Sequence, residues 1–176
     1  HPPYQVEEPY FSMIDRTKLE KRVKPEECTG KAEIEHAIRT NQKLQGYTEE
    51  QWSELRATYL GMVAKVDEQF RRLCEALKET GEYDNSALFF FSDHGDFAGD
   101  YGIAEKAQNT FEDCLTNVPF LIKPPKGYDL DPGISDSLVE LVDFYATAMD
   151  MAGALPSHTH YGISLTGVLG DRTVKI

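Results

Sequence analysis

From Thr48 to Thr80, apolar residues recur at Trp52, Leu55, Tyr59, Val63, Val66, Phe70, Leu73 and Leu77, in steps of three and four. That spacing puts them on one stripe of a helix. Thr48 and Gln51 make a T-x-x-Q capping box at its start, and Gly81 ends it. Gly61 inside the helix costs about 1 kcal/mol relative to alanine, which points to close packing there. The stripe reads as core. A different pattern follows: Ala87 to Phe91 is an unbroken apolar run that stops at Asp93-His94-Gly95, as a fully buried strand would. Residues 93–106 form a glycine-bearing loop, and Thr110 to Leu115 holds a short helical turn. Val118 to Lys123 is a second strand, with Pro119 tolerated near its start and Pro124-Pro125-Lys126-Gly127 ending it. Leu138 to Val142 is a third strand. Asp143 caps a helix from Phe144 to Ala152, closed by Gly153 and Pro156. Strands alternating with helices predict an α/β protein with a largely parallel sheet flanked by helices. Residues 1–46 are of mixed character, with a short helix near Lys31 to Arg39. They read as a wrapping excursion on an α/β core spanning 47–176, within one partial domain.

Composition narrows the partners. The formal net charge is −12 and the pI is near 4.8. Such a chain is a poor match for nucleic acid or an anionic membrane surface, and an anionic substrate would need local cations. No apolar stretch approaches the roughly 20 residues of a membrane span. Cys28, Cys74 and Cys114 are far apart and make no C-x-x-C pattern, so they read as isolated thiols. The chain opens on His1-Pro2-Pro3-Tyr4 with no initiator methionine, as expected of a processed or truncated piece.

The strand that ends at Phe91 delivers a carboxylate and an imidazole, Asp93 and His94, to its carboxyl end, where ligands bind in open α/β sheets. Asp96, Asp100 and Glu105 follow, and the first cation after them is Lys106. Clustered carboxylates repel one another unless they are solvated or share a cation. Carboxylate oxygen with imidazole nitrogen suits a divalent ion such as Ca, Mg, Mn or Zn. Residue types alone fit equally a solvated acidic turn with His94 merely hydrogen-bonded, and Lys106 a solvated surface lysine. His158 and His160 sit in a Gly/Pro/Ser-rich loop and read as surface residues, as does His36 on a polar helix.

An ordered set of segments carries a resemblance. Ser92-Asp93-His94-Gly95-Asp96, Gly99-Asp100-Tyr101-Gly102, Lys106, and Val118-Pro119 with Pro124-Pro125 resemble the second metal-binding segment of the sulfatases, in the alkaline phosphatase superfamily. Tyr59 to Asp67 resembles the helix before that family's metal strand, and Leu141 to Thr147 with Gly162 to Leu165 resembles the segment that closes its core. His1-Pro2-Pro3-Tyr4 resembles its histidine-proline motif. The resemblance implies part of an alkaline-phosphatase-like core that hydrolyses a sulfate ester on a small molecule or glycan. Asp93 and His94 would be ligands of a divalent ion, usually calcium. Lys106 would bind sulfate oxygens, and His1 would contact the sulfate or help protonate the leaving oxygen.

Two departures matter. Tyr101 stands where some relatives place a histidine. No C/S-x-P-x-R segment, the precursor of the family's formylglycine nucleophile, occurs in the chain. These residues therefore read as the carboxyl-side portion of a sulfatase core. The nucleophile is expected upstream, and the isolated chain is expected to be inactive and prone to self-associate through exposed sheet surface. A phosphonate or phosphate ester hydrolase of the same superfamily is the alternative. A non-catalytic acidic binding module is the third reading.

Overall fold

The computed structural model describes residues 2–176. Among the described residues five α-helices and two strands, besides short 3-10 turns, follow in order: α1 (Glu33–Gln42), α2 (Glu49–Glu79), β1 (Leu88–Phe91), α3 (Asp113–Thr116), β2 (Phe120–Lys123), α4 (Val142–Met151) and α5 (Thr166–Gly170). The chain divides into two compact units. The first holds the described residues up to Glu75 together with His94–Val118, and the second holds Ala76–Asp93 with Pro119–Ile176.

In the first unit, α2 begins as its capping box requires. The Thr48 N–H donates to Gln51 Oε1 at 2.9 Å, and the Gln51 N–H donates to Thr48 Oγ1 at 3.3 Å. Trp52, Ala57, Thr58 and Gly61 are buried. Gly61 is there for clearance: a Cβ on it would sit 2.5 Å from the Tyr10 carbonyl oxygen. The expected apolar stripe is not uniformly core. Val63, Val66 and Leu73 are 47, 49 and 52% exposed, because among the described residues the buried positions of α2 lie only along its amino-terminal half. Phe97, Ile103 and Leu115 form a small core, with Ile38 of α1 and Tyr101 packed against it. Residues 22–42 are laced to the loop over that core. Val23 O accepts the Tyr101 N–H at 2.7 Å, and the Gln42 amide pairs with both backbone groups of Ala104, at 2.7 and 3.0 Å.

In the second unit, β1 and β2 pair antiparallel, with Leu88 opposite Lys123 and Phe91 opposite Phe120. The protein is α/β as expected, but the sheet among the described residues is this one antiparallel pair and not a parallel array. The expected full burial of β1 is not met either: Phe91 is 38% exposed, since a two-stranded sheet has no neighbour on its outer edges. The third predicted strand, 138–142, is irregular and runs into α4. Its apolar residues lead into the helix, and Asp143 holds the turn, its carboxylate accepting the N–H groups of Glu140 and Ile163 at 2.9 and 2.8 Å. Phe144 of α4 meets Phe89 edge-on at 4.9 Å. Thr147 Oγ1 donates to Asp143 O and accepts the Leu165 N–H, fastening residues 162–165 to α4.

Candidate active site

The loop that follows β1 is built by close backbone approach. Gly95 donates its N–H to Leu115 O at 2.8 Å. A Cβ on Gly95 would lie 1.9 Å from the Cys114 carbonyl oxygen, so only glycine fits. Three non-glycine residues of the loop, Ala98, Tyr101 and Glu105, have φ of +44, +56 and +64°. Such left-handed residues persist where surrounding contacts over-determine the backbone. Here Gly99 N–H bonds Ile103 O, Asp100 N–H bonds Phe97 O, and Phe97 N–H bonds Glu105 O.

Asp93 is exposed and His94 half-buried. Neither is the least exposed part of the loop, although both follow closely on the strand. The buried part is Phe97, Gly99, Ile103 and Ala104, of which Phe97 and Ile103 join Leu115 in the small core. His94 Nδ1 lies 2.8 Å from Gly95 O. A carbonyl only accepts, so Nδ1 is the donor in this contact, which is how a metal-ligating histidine is commonly anchored through its other nitrogen. Lys106 is exposed. His1 lies outside the described residues.

Asp96 and Asp100 are engaged in the scaffold. Asp96 accepts the Tyr4 hydroxyl at 2.8 and 2.9 Å and the Ala98 N–H at 2.7 Å. Asp100 Oδ1 accepts the Val23 N–H at 2.8 Å and faces Arg56 Nη1 at 3.3 Å. Burial, then the hydrogen bond to Asp96, pushes the Tyr4 phenol well above its ordinary range, so it stays a donor. Among the described residues no group of three or more His, Cys, Asp and Glu is gathered to hold a metal. Asp93 and His94 are two residues whose donor types suit a divalent ion.

A second polar cluster escaped sequence reading. Glu35 on α1 is buried, 2% exposed. Burial, then the neighbouring Glu112 carboxyl, raises its pKa, while Lys31, 2.5 Å from Glu112, lowers that of Glu112. Lys31 also lies over the Tyr101 ring at 4.7 Å, and burial and Glu112 push the Tyr101 hydroxyl up to about 12. Lys31, Glu35 and Tyr101 border a cavity of about 350 Å³ that Arg39 and His36 also line. Nothing in the spacing of Lys31, Glu35 and Glu112 signals this meeting. Burial pushes the Cys114 thiol up to about 12, which makes it a poor nucleophile. His158 and His160 pack on Tyr145, at 5.0 and 5.5 Å between rings.

The fold is alkaline-phosphatase-like. The phosphonate monoester hydrolase of Agrobacterium radiobacter superposes with a TM-score of 0.79 at 26% identity, over 97% of this chain and 36% of that one. The sulfatase family model matches residues 3–154, and the chain belongs to the sulfatase family. It is 36% identical over 112 residues to an N-acetylglucosamine-6-O-sulfatase of Bacteroides thetaiotaomicron, covering 63% of this chain and 19% of that protein. It is 26% identical over 187 residues to the multifunctional alkaline phosphatase superfamily protein PehA of Trinickia caryophylli, covering 97% of this chain and 36% of that protein. The chain thus spans between about a fifth and a third of the length of these relatives. The family generally uses a divalent metal. No helix among the described residues is long and apolar enough to cross a membrane.

Proposed function

We propose that this chain carries the carboxyl-side half of the active site of a sulfuric ester hydrolase. The observation that carries the reading is the Asp93-His94 pair directly after β1 in the chain, with His94 anchored through Nδ1 to Gly95 O and Lys106 exposed at the end of the same loop. Asp93 and His94 would hold a divalent ion, by family most often calcium, which supplies charge neutralisation and polarisation at the sulfate oxygens. Lys106 places an ammonium against the anionic group of the ester, which the −12 charge of the chain otherwise repels. His1 contacts the same group or protonates the leaving oxygen. The nucleophile, a formylglycine, lies in a segment other than these 176 residues. The substrate is a sulfate ester of a small molecule or glycan.

A second reading has a specific observation behind it. Likeness to a phosphonate monoester hydrolase and to PehA runs over 97% of the chain, against 63% for the glucosamine sulfatase. The same loop would serve a phosphonate monoester, because both substrates present an anionic tetrahedral group. The test is paired. Calcium titration of the intact protein should show affinity falling at least tenfold in Asp93→Ala and in His94→Ala. Turnover of an aryl sulfate and of an aryl phosphonate monoester then separates the two chemistries by their kcat/KM ratio. Unchanged metal affinity in both variants would leave a non-catalytic module as the better account.

A further inference from the structure

Two segments that carry proposed site residues meet at one phenol. Tyr4, three positions after His1 in sequence, donates its hydroxyl to the Asp96 carboxylate, with Oδ1 at 2.8 Å and Oδ2 at 2.9 Å. The same oxygen accepts the Glu105 N–H at 2.7 Å. Asp96 lies two residues beyond His94, and Glu105 immediately precedes Lys106. The Tyr4 ring is half-buried and meets Tyr59 of α2 edge-on at 6.2 Å, so the phenol is anchored from the helix side. Glu105 is one of the left-handed residues, at φ +64°, and its two backbone groups are taken by Tyr4 and by the Phe97 N–H. The direction in which the chain leaves Glu105 towards Lys106 therefore depends on the Tyr4 hydroxyl.

We propose that Tyr4 is a positioning residue of this site: its hydroxyl ties the turn after His94 to the turn before Lys106 and so sets where the Lys106 ammonium meets the substrate anion. The proposal rests on the anion-binding role given to Lys106 above. A hydroxyl suits the place because it has one proton for the carboxylate and a lone pair for the N–H. Phenylalanine would keep the ring packing and break both bonds at once, leaving a part-buried carboxylate oxygen and a backbone N–H to find new partners.

The experiment measures inorganic sulfate binding to the intact protein by calorimetry, with thermal melts alongside, for Tyr4→Phe, Lys106→Ala, the double variant and Gln42→Ala. Gln42→Ala loosens the same loop from its other side, at Ala104. Lys106→Ala should weaken sulfate binding at least tenfold; if it does not, the role of Lys106 fails, and the Tyr4 proposal with it. Given that loss, Tyr4→Phe should weaken sulfate binding about tenfold, more than Gln42→Ala at a comparable melting temperature. The double variant should bind no worse than Lys106→Ala alone. Sulfate affinity of Tyr4→Phe within twofold of the parent, an equal loss in Gln42→Ala, or additive losses in the double variant would overturn the proposal while leaving Lys106 in place. If Tyr4→Phe does not fold, 4-aminophenylalanine at position 4 keeps the donor to Asp96 and weakens the acceptor for Glu105. It should lose sulfate affinity, and unchanged affinity would equally refute the role.

Discussion

Gly95→Ala is the sharpest perturbation of the loop. The added Cβ would lie 1.9 Å from the Cys114 carbonyl oxygen, 2.8 Å from its carbonyl carbon and 3.1 Å from Leu115 Cα. All three are backbone atoms, so no side chain can swing away. Relief requires α3 to retreat from the loop, which breaks the 2.8 Å bond from the Gly95 N–H to Leu115 O. Overpacking of this kind costs about 1–3 kcal/mol, and the lost hydrogen bond costs about 1 kcal/mol more. The sum is about 3 kcal/mol, and at ~2 °C per kcal/mol the melting temperature should fall by about 6 °C. Leu115 is in the core with Phe97 and Ile103, so the loop that carries His94 and Lys106 should loosen with it. A thermal melt of the intact protein, followed by calcium titration of the variant, reads both effects. A melting temperature within 1 °C of the parent, with unchanged calcium affinity, would refute the close approach on which the loop's construction rests.

Glu35→Gln tests the buried carboxyl pair. The Glu35 pKa is raised in the fold above 4.5, so its contribution to stability is full below that pH and is lost as pH rises through the raised value. The groups facing it are Glu112, Lys31, Arg39 and, through Glu112, Tyr101. Glutamine removes the charge, so the variant should melt above the parent at pH 7 and match it at pH 4; a lower melting temperature at pH 7 would count against the assignment. The purified 176-residue chain should turn over no aryl sulfate, and measurable turnover would place a nucleophile within it. The same material should sediment as oligomers, through Val63, Val66 and Leu73 on α2 and Phe91 and Leu121 on the strands, all exposed; a monomer with one cooperative melt would exclude that.

Local order was legible in the residues themselves. The α2 helix runs within one residue of its predicted bounds because a capping box, a 3–4 periodicity and a terminal glycine act over a few positions. Asp93, His94 and Lys106 are proposed as site residues because they interrupt that order in a pattern that resembles the sulfatase family's. The strand pair was legible as two strands but not in direction, since an apolar run of four residues is compatible with either orientation. Burial was misjudged along α2 and at Phe91, because periodicity marks which residues share a face and not what covers it. The Tyr4 hydroxyl reaches Asp96 and Glu105 across 92 and 101 positions of chain, and Lys31 reaches Glu112 across 81. No short-range rule connects such residues. Only the return of residues 2–46 along the loop brings the phenol and the lysine to their carboxylates, and that return is decided by the packing of the whole unit.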